Sequence, residues 1–90
     1  MKEHEINVGI VEFDAIDTEI KKFLILWDTK IKSGDKLILR EADDSGELSG
    51  EQIEVKVDYL VRGGKDGIES GYVGLSINKI ELDDKLVSKN

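Results

Sequence analysis

The sequence predicts a small α+β fold in which about five strands form a β-barrel, with one helix between the first two strands. One stretch, Ile10 to Ile20, spaces its apolar residues as a helix does. Later stretches alternate apolar and polar residues as strands do, and one stretch is apolar on both faces. In a chain of 90 residues, closing the sheet is the economical way to bury both faces of such a strand.

Composition indicates one soluble domain with a highly charged surface. Hydrophobic residues make up 39% and charged residues 37% of the chain, enough for one modest core. We expect a single domain over residues 4–82, followed by a C-terminal tail at 83–90. The 20 acidic and 13 basic residues give a net charge of −7, which repels phosphates unless lysines gather on one side.

Several classes of site and location are disfavoured by what the sequence lacks. It has no cysteine and one histidine, His4, so we expect no metal site, and no motif indicates a cofactor. No apolar run approaches the roughly 20 residues that span a bilayer, so we expect no membrane association. The first residues lack the apolar segment of a secretory signal, which favours a cytoplasmic location.

The first half of the chain predicts a strand, a helix and a second strand. The first strand is expected at Glu5–Val8, and the helix carries one apolar stripe formed by Ile10, Phe13, Ile16 and Ile20. The following stretch, 21–27, is apolar on both faces and is expected at the centre of the sheet. Phe23, Ile25 and Trp27 are assigned to its core face, and Lys22, Leu24 and Leu26 to the opposite face.

The second half of the chain predicts three more strands. They are expected at Lys36–Glu41, Ile53–Val61 and Gly71–Ile77, with a bulge or bend near Asn78-Lys79 where the apolar alternation changes parity. The residues expected in the core are Phe13, Ile16, Ile20, Phe23, Ile25, Leu37, Leu39, Val55, Val57, Leu75 and Ile77.

Four short segments together resemble one family. They are His4-Glu5, Phe13-Asp14-Ala15-Ile16, the segment Gly34–Glu41 and the segment Gly71–Ile77. In this order and spacing they resemble the small bacterial and phage ASCH domains, a branch of the PUA-like superfamily of RNA-binding β-barrels. The resemblance runs from about His4 to Ile77. It implies a PUA-like barrel with a cleft beside the helix, suited to RNA or a modified nucleoside.

Some ASCH relatives are amidohydrolases that deacylate N4-acetylcytidine, and their signature is only partly present. It runs glycine, lysine, lysine, threonine, aromatic, glutamate, isoleucine, arginine, and here positions 19–26 correspond to it. Lys21, Phe23 and Ile25 match, whereas the threonine is Lys22, the glutamate is Leu24 and the arginine is Leu26. The polar face of the signature has become mostly apolar, so the sequence favours a non-catalytic module.

The first functional hypothesis is therefore a binding module for RNA or a nucleotide-like ligand. Its expected ligand-binding residues are Lys21, Lys22, His4, Arg40, Tyr72 and Arg62. The simpler interpretation of the two adjacent lysines is a solvated pair at a helix end. A base could stack on Trp27, but core packing is the expected role of that ring.

Two other classes of function remain open. Leu24 and Leu26 could form an apolar face for self-association, giving a homo-oligomer, or for another protein. An amidohydrolase acting on N4-acylated cytidine would need Lys21, a hydroxyl and a carboxylate to converge on one amide. Thr18 or Ser76 could supply the hydroxyl, and Glu54 or Glu69 the carboxylate.

Overall fold

The chain forms one sheet and one helix in the expected order. The computed structural model describes residues 2–80. Its elements are β1 (Glu3–Gly9), α1 (Ile10–Asp17), β2 (Phe23–Trp27), β3 (Lys36–Ala42), β4 (Leu48–Arg62) and β5 (Tyr72–Lys79). The α+β class and the helix between the first two strands are confirmed. The predicted tail at 83–90, and the end of the domain at residue 82, lie outside the described residues.

The sheet is curled into a half-barrel. Its strand order is β1-β3-β4-β5-β2, with β1 parallel to β3 and the other neighbours antiparallel. Within residues 2–80, β1 and β2 are the two edges and do not pair, so the barrel is not closed there. The expectation that β2 lies at the centre is wrong. β4 is the central strand, and β2 pairs with β5 alone.

The core lies on the concave side, between the sheet and α1. Of the expected core residues, Phe13, Ile16, Leu37, Leu39, Val55, Val57, Leu75 and Ile77 are buried, as predicted. Ile31 is also fully buried, although it lies in the polar connection between β2 and β3. A single apolar residue in a polar loop has no periodicity, so no pattern indicated its burial.

The helix is shorter than its apolar stripe predicted. It ends at Asp17, and Thr18 donates its hydroxyl to the Asp14 carbonyl, 2.9 Å away. Glu19 then adopts a left-handed backbone conformation with φ 62°, which turns the chain out of the helix. Ile20 lies beyond this turn and is 82% exposed, so its assignment to the core is wrong.

The two faces of β2 are reversed relative to the prediction. Leu24 is 1% exposed, whereas Phe23, Ile25 and Trp27 are 53%, 54% and 63% exposed. Both sets are apolar, so pairing with β5 decides which set is buried. Leu24 lies opposite the buried Leu75, whereas Phe23 and Ile25 lie opposite Ser76 and Gly74 on the convex side. Placing Phe23 and Ile25 in the core was therefore wrong, as was the expected packing of Trp27 there.

The expected apolar face at Leu24 and Leu26 is therefore not on the surface. Leu24 belongs to the buried core cluster, and Leu26 is partly buried against it. The self-association surface proposed for these two leucines is thus occupied by the chain itself.

The bulge lies in β4, not in β5. The register of β4 against β5 shifts between Val57 and Tyr59, so Asp58 is the extra residue, and β5 pairs without interruption at Asn78 and Lys79. A bulge of one residue reverses the side-chain parity beyond it. As a result, Val57 is buried and Tyr59 is 70% exposed, although both belong to one alternating pattern.

The reversed faces of β2 give a stability test. We expect Leu24→Ala to lower the free energy of unfolding by about 2–5 kcal/mol, because it removes a fully buried side chain from a packed core. Ile25→Ala removes a side chain that is 54% exposed and should lower it by less than about 1 kcal/mol. Urea unfolding followed by circular dichroism measures both. Equal losses, or a larger loss for Ile25→Ala, would contradict this orientation of β2.

Candidate ligand-binding face

Most of the aromatic side chains lie together on the convex side of the sheet. We call this surface the aromatic face and define it as Phe23, Ile25, Trp27, Tyr59 and Tyr72. The chain has five aromatic residues, and only Phe13 lies in the core. Trp27 and Tyr72 face each other across β2 and β5, with ring centroids 5.2 Å apart and planes at 88°. This edge-to-face contact holds both rings in place while most of Trp27 remains exposed.

A shallow apolar groove of about 240 Å³ lies on the aromatic face. It is lined by Phe23, Leu24, Ile25, Tyr59, Val61, Asp66, Ile68, Gly74, Leu75 and Ser76. Gly74 forms part of its floor, and a Cβ atom there would come 3.0 Å from the Ile68 side chain. The missing side chain thus lets Ile68 lie directly on the sheet. A flat aromatic or heterocyclic group would find apolar contacts on the floor and sides of this groove.

The loop that carries Ile68 is held close to the ends of β4 and β5. A Cβ atom on Gly63 would come 2.1 Å from the Glu69 carbonyl oxygen, so only glycine fits there. The Gly64 amide donates to the Ile68 carbonyl over 2.8 Å, and the Tyr72 amide donates to that of Glu69 over 3.0 Å. The glycine-rich segment is therefore a tight turn that forms one wall of the groove.

Lys21 lies between the aromatic face and a second groove beside α1. Its Nζ atom is 4.9 Å from the centroid of the Phe23 ring and 2.6 Å from a carboxylate oxygen of Glu12. The second groove measures about 700 Å³, and its lining includes Glu12, Ala15, Lys21 and Asp44. A cleft beside the helix was expected, and Lys21 does border a groove in that position.

The other predicted binding residues do not all converge on one site. Tyr72 belongs to the aromatic face. Lys22 is exposed and has no ion-pair partner within residues 2–80, but it lies on the other side of β2, on the face of Leu24. Arg62 donates to both carboxylate oxygens of Asp28, each 2.9 Å away, and to the Ile31 carbonyl, 2.7 Å away. It holds the loop after β2 against the end of β4.

Arg40 lies on the convex side but at the far edge of the sheet, beside β1, and His4 lies on the concave side. Arg40 contacts Glu5 at 3.5 Å and donates to Asn7 at 3.2 Å, both on β1. Nearby, Lys36 lies 3.0 Å from Glu54 and 3.2 Å from Glu3, and the hydrogen bond to Glu54 is the main reason that its pKa is raised. The convex side therefore has a charge-paired half at β1 and β3 and an apolar half at β5 and β2.

His4 is a partner of the buried carboxylate of Asp35. Its Nε2 atom lies 2.9 Å from Asp35 Oδ2, which also accepts the Lys32 amide at 3.0 Å. The other oxygen, Oδ1, accepts the Lys2 amide at 3.1 Å. These bonds, above all the one from His4, lower the pKa of Asp35 to about 2. His4 thus ties the first strand to the turn before β3.

The groups proposed for an amidohydrolase are engaged separately. The Thr18 hydroxyl donates within α1, the Ser76 hydroxyl accepts the Tyr59 amide at 3.0 Å, and Glu54 pairs with Lys36. Within residues 2–80, no cluster of three or more histidine and carboxylate side chains could hold a metal ion. In the same range, no helix is long and apolar enough to cross a membrane.

Comparison with known families adds one match, which covers residues 3–77. The matching family is described as a domain of unknown function, DUF3850. The chain belongs to the DUF3850 family. No curated protein matches it.

The span of the DUF3850 match includes the whole aromatic face. Sequence reasoning missed Phe23, Ile25 and Tyr59 as surface residues of this DUF3850 domain, because their apolar spacing is also that of a core. One signal was present: the five consecutive apolar residues, 23–27, make both faces of the strand apolar, and burying both would need a closed barrel.

The buried carboxylate of Asp35 should contribute to stability. Asp35→Asn places an amide N–H where the carboxylate accepts N–H groups, so we expect the free energy of unfolding to fall by about 1–3 kcal/mol at pH 7. Asp44→Asn is the matched control, since it removes the same charge from an exposed loop. Chemical unfolding of the three proteins measures the difference.

The free energy of unfolding that Asp35→Asn loses should depend on pH in a defined direction. The pKa of Asp35 is about 2 in the folded chain and 3.8 in an unconstrained one, so its stabilising effect is complete above pH 3.8. It should decrease as the pH falls from about 4 towards 2, where the folded form also takes up the proton. A difference between wild type and Asp35→Asn that stays constant from pH 7 to pH 2 would contradict this assignment.

Proposed function

We propose that this DUF3850 domain is a non-catalytic PUA-like binding module whose aromatic face binds the bases of single-stranded RNA or of a nucleotide-like ligand. The observation that carries the proposal is that four of the five aromatic residues lie on one exposed face. Large aromatic side chains normally lie mostly in the core of a small soluble domain. Nucleobases stack on such exposed rings, with about 1–3 kcal/mol for each base.

The resemblance to ASCH domains supports an RNA-related ligand, and the aromatic face is a better location for it than the cleft beside α1. That cleft contains the carboxylates of Glu12 and Asp44, and its lysine, Lys21, is already paired with Glu12. A phosphate group would meet net negative charge there. On the aromatic face, the groove contains one acid, Asp66, among mostly apolar side chains.

Charge indicates that stacking supplies most of the affinity. With a net charge of −7, the domain attracts nucleic acid only where cations lie close to the binding face. Lys21 lies over the Phe23 ring but shares its charge with Glu12, and the exposed Lys22 follows it on the opposite face of β2, so few phosphate contacts are available. For single-stranded RNA, each of one or two phosphate contacts contributes about −0.7 to the slope of the logarithm of the binding constant against the logarithm of the salt concentration. Duplex DNA or RNA, whose bases are stacked and covered, should bind weakly.

A fluorescence titration tests the proposal directly. Trp27 is the only tryptophan, so its emission reports on the aromatic face. We expect a short pyrimidine RNA to quench it saturably at low salt, with a salt slope between about −0.7 and −1.4. Tyr59→Ala should weaken binding by about 1–3 kcal/mol, because it removes one stacking ring and leaves the reporter intact.

Leu48→Ala is the matched control for this titration, because Leu48 is also exposed but lies at the other end of β4. It should leave the affinity unchanged. The proposal fails if the RNA does not bind at low salt, or if Tyr59→Ala and Phe23→Ala bind it as the wild type does.

We also expect no amidase activity on N4-acetylcytidine. Leu24 stands where the resembling enzymes have a glutamate, and a leucine cannot accept or orient a proton. Loss of one such group commonly lowers the rate by orders of magnitude. The assay is product release from N4-acetylcytidine by the purified wild type. Turnover above the uncatalysed rate that is abolished by Lys21→Ala would contradict the non-catalytic assignment.

A further inference from the structure

Within residues 2–80, one edge of the sheet is open along β2. The Ile77 amide donates to the Lys22 carbonyl, and the Asp28 amide donates to the Gly71 carbonyl, each over 3.0 Å. Successive residues of a strand direct their backbone groups to opposite sides. Lys22, Leu24, Leu26 and Asp28 therefore bond to β5. Phe23, Ile25 and Trp27 direct their N–H and C=O groups towards the open edge.

The two edges of the sheet differ in their protection against pairing. β1 carries Glu3, Glu5 and Asn7, and charged side chains on an edge strand discourage the addition of another strand. β2 consists of five apolar residues with no charge, proline or bulge. Its Phe23, Ile25 and Trp27 side chains are all more than half exposed. An open, apolar edge of this kind favours pairing with another strand.

We propose that β2 pairs antiparallel with β2 of a second copy of the chain, about a two-fold axis at Ile25. Ile25 then lies opposite Ile25 of the second copy, and Phe23 opposite its Trp27. Each of these pairs exchanges two backbone hydrogen bonds, because all of them direct their N–H and C=O groups to the open edge. The interface is self-complementary, as a two-fold dimer requires.

Charge complementarity selects this register. With Ile25 on the axis, Lys22 lies directly opposite Asp28 of the second copy, at both ends of the paired strands. Lys22 has no ion-pair partner within residues 2–80, and the Asp28 carboxylate is fixed in position by Arg62. If either strand slides by two residues, a leucine lies opposite Lys22 or Asp28 instead of the opposite charge. One of the three residues that face the open edge then also has no partner within β2 of the second copy. The dimer does not depend on the proposed RNA binding, but it would join the two aromatic faces into one surface.

Sedimentation velocity over a concentration series tests the dimer. We expect a species of twice the 10.1 kDa chain mass that dissociates on dilution. Ile25→Pro removes the N–H group that points to the open edge at the centre of the interface. It removes no hydrogen bond to β5, and an edge strand tolerates proline at such a position. It should raise the dimer dissociation constant at least about tenfold. Ile25→Val, which keeps the N–H and an apolar side chain, is the matched control and should still dimerise.

A second variant covers the case in which Ile25→Pro fails to fold. Lys22→Glu changes an exposed side chain and places two carboxylates opposite each other at both ends of the interface, so it should also weaken the dimer. In the wild type, hydrogen exchange of the Ile25 amide should slow as the dimer forms. Three results would overturn the proposal: a monomer at every concentration up to millimolar, a dimer unaffected by both variants, or a protected Ile25 amide in a monomer. The last result would mean that residues 81–90 cover the edge.

Discussion

The turn Ser33-Gly34-Asp35 holds the two halves of the sheet in register. The Asp35 carboxylate accepts bonds from Lys2, Lys32 and His4, so it fixes the start of β1 beside β3. On its other side, the Gly34 amide and the Asp35 carbonyl bond to Val57, at 2.8 and 2.9 Å. The Ser33 hydroxyl donates to the Asp58 carbonyl over 2.6 Å. One turn of three residues therefore positions both the first strand and the bulge in the central strand.

The bulge at Asp58 produces the division of the convex side. Before it, β4 contributes Glu54, which pairs with Lys36 beside β1 and β3. After it, the parity is reversed, and Tyr59 joins Phe23 on the apolar half. The Asn78 side chain donates to the Asp58 carboxylate, and the Tyr59 amide donates to Ser76, so β5 fixes the reversal from its own side. A single extra residue thus separates a charged surface from an aromatic one.

The aromatic face and the open edge are consequences of the same strand. β2 buries its two leucines through β5 and leaves three large apolar side chains and three sets of backbone groups on the surface. A ligand that stacks and a strand that pairs would use different parts of β2, the side chains in one case and the backbone in the other. The proposed functions are therefore compatible, and both explain why an acidic domain keeps a neutral, apolar surface there.

The sequence alone determined the element order, the α+β class and the core residues of β3, the first half of β4 and β5. Apolar residues alternate there with polar ones, so Leu37, Val55 and Leu75 lie at the one parity that avoids burying charged or polar side chains. Tertiary structure decided the rest. Both faces of β2 are apolar, and pairing with β5, which sets its two leucines opposite Leu75 and Val73, decides which face is buried. In β4, the bulge at Asp58 places Tyr59 on the surface. Of the candidate site, the sequence indicated Lys21 and Tyr72 but not Phe23 or Tyr59, because strand pairing depends on residues far apart in the chain.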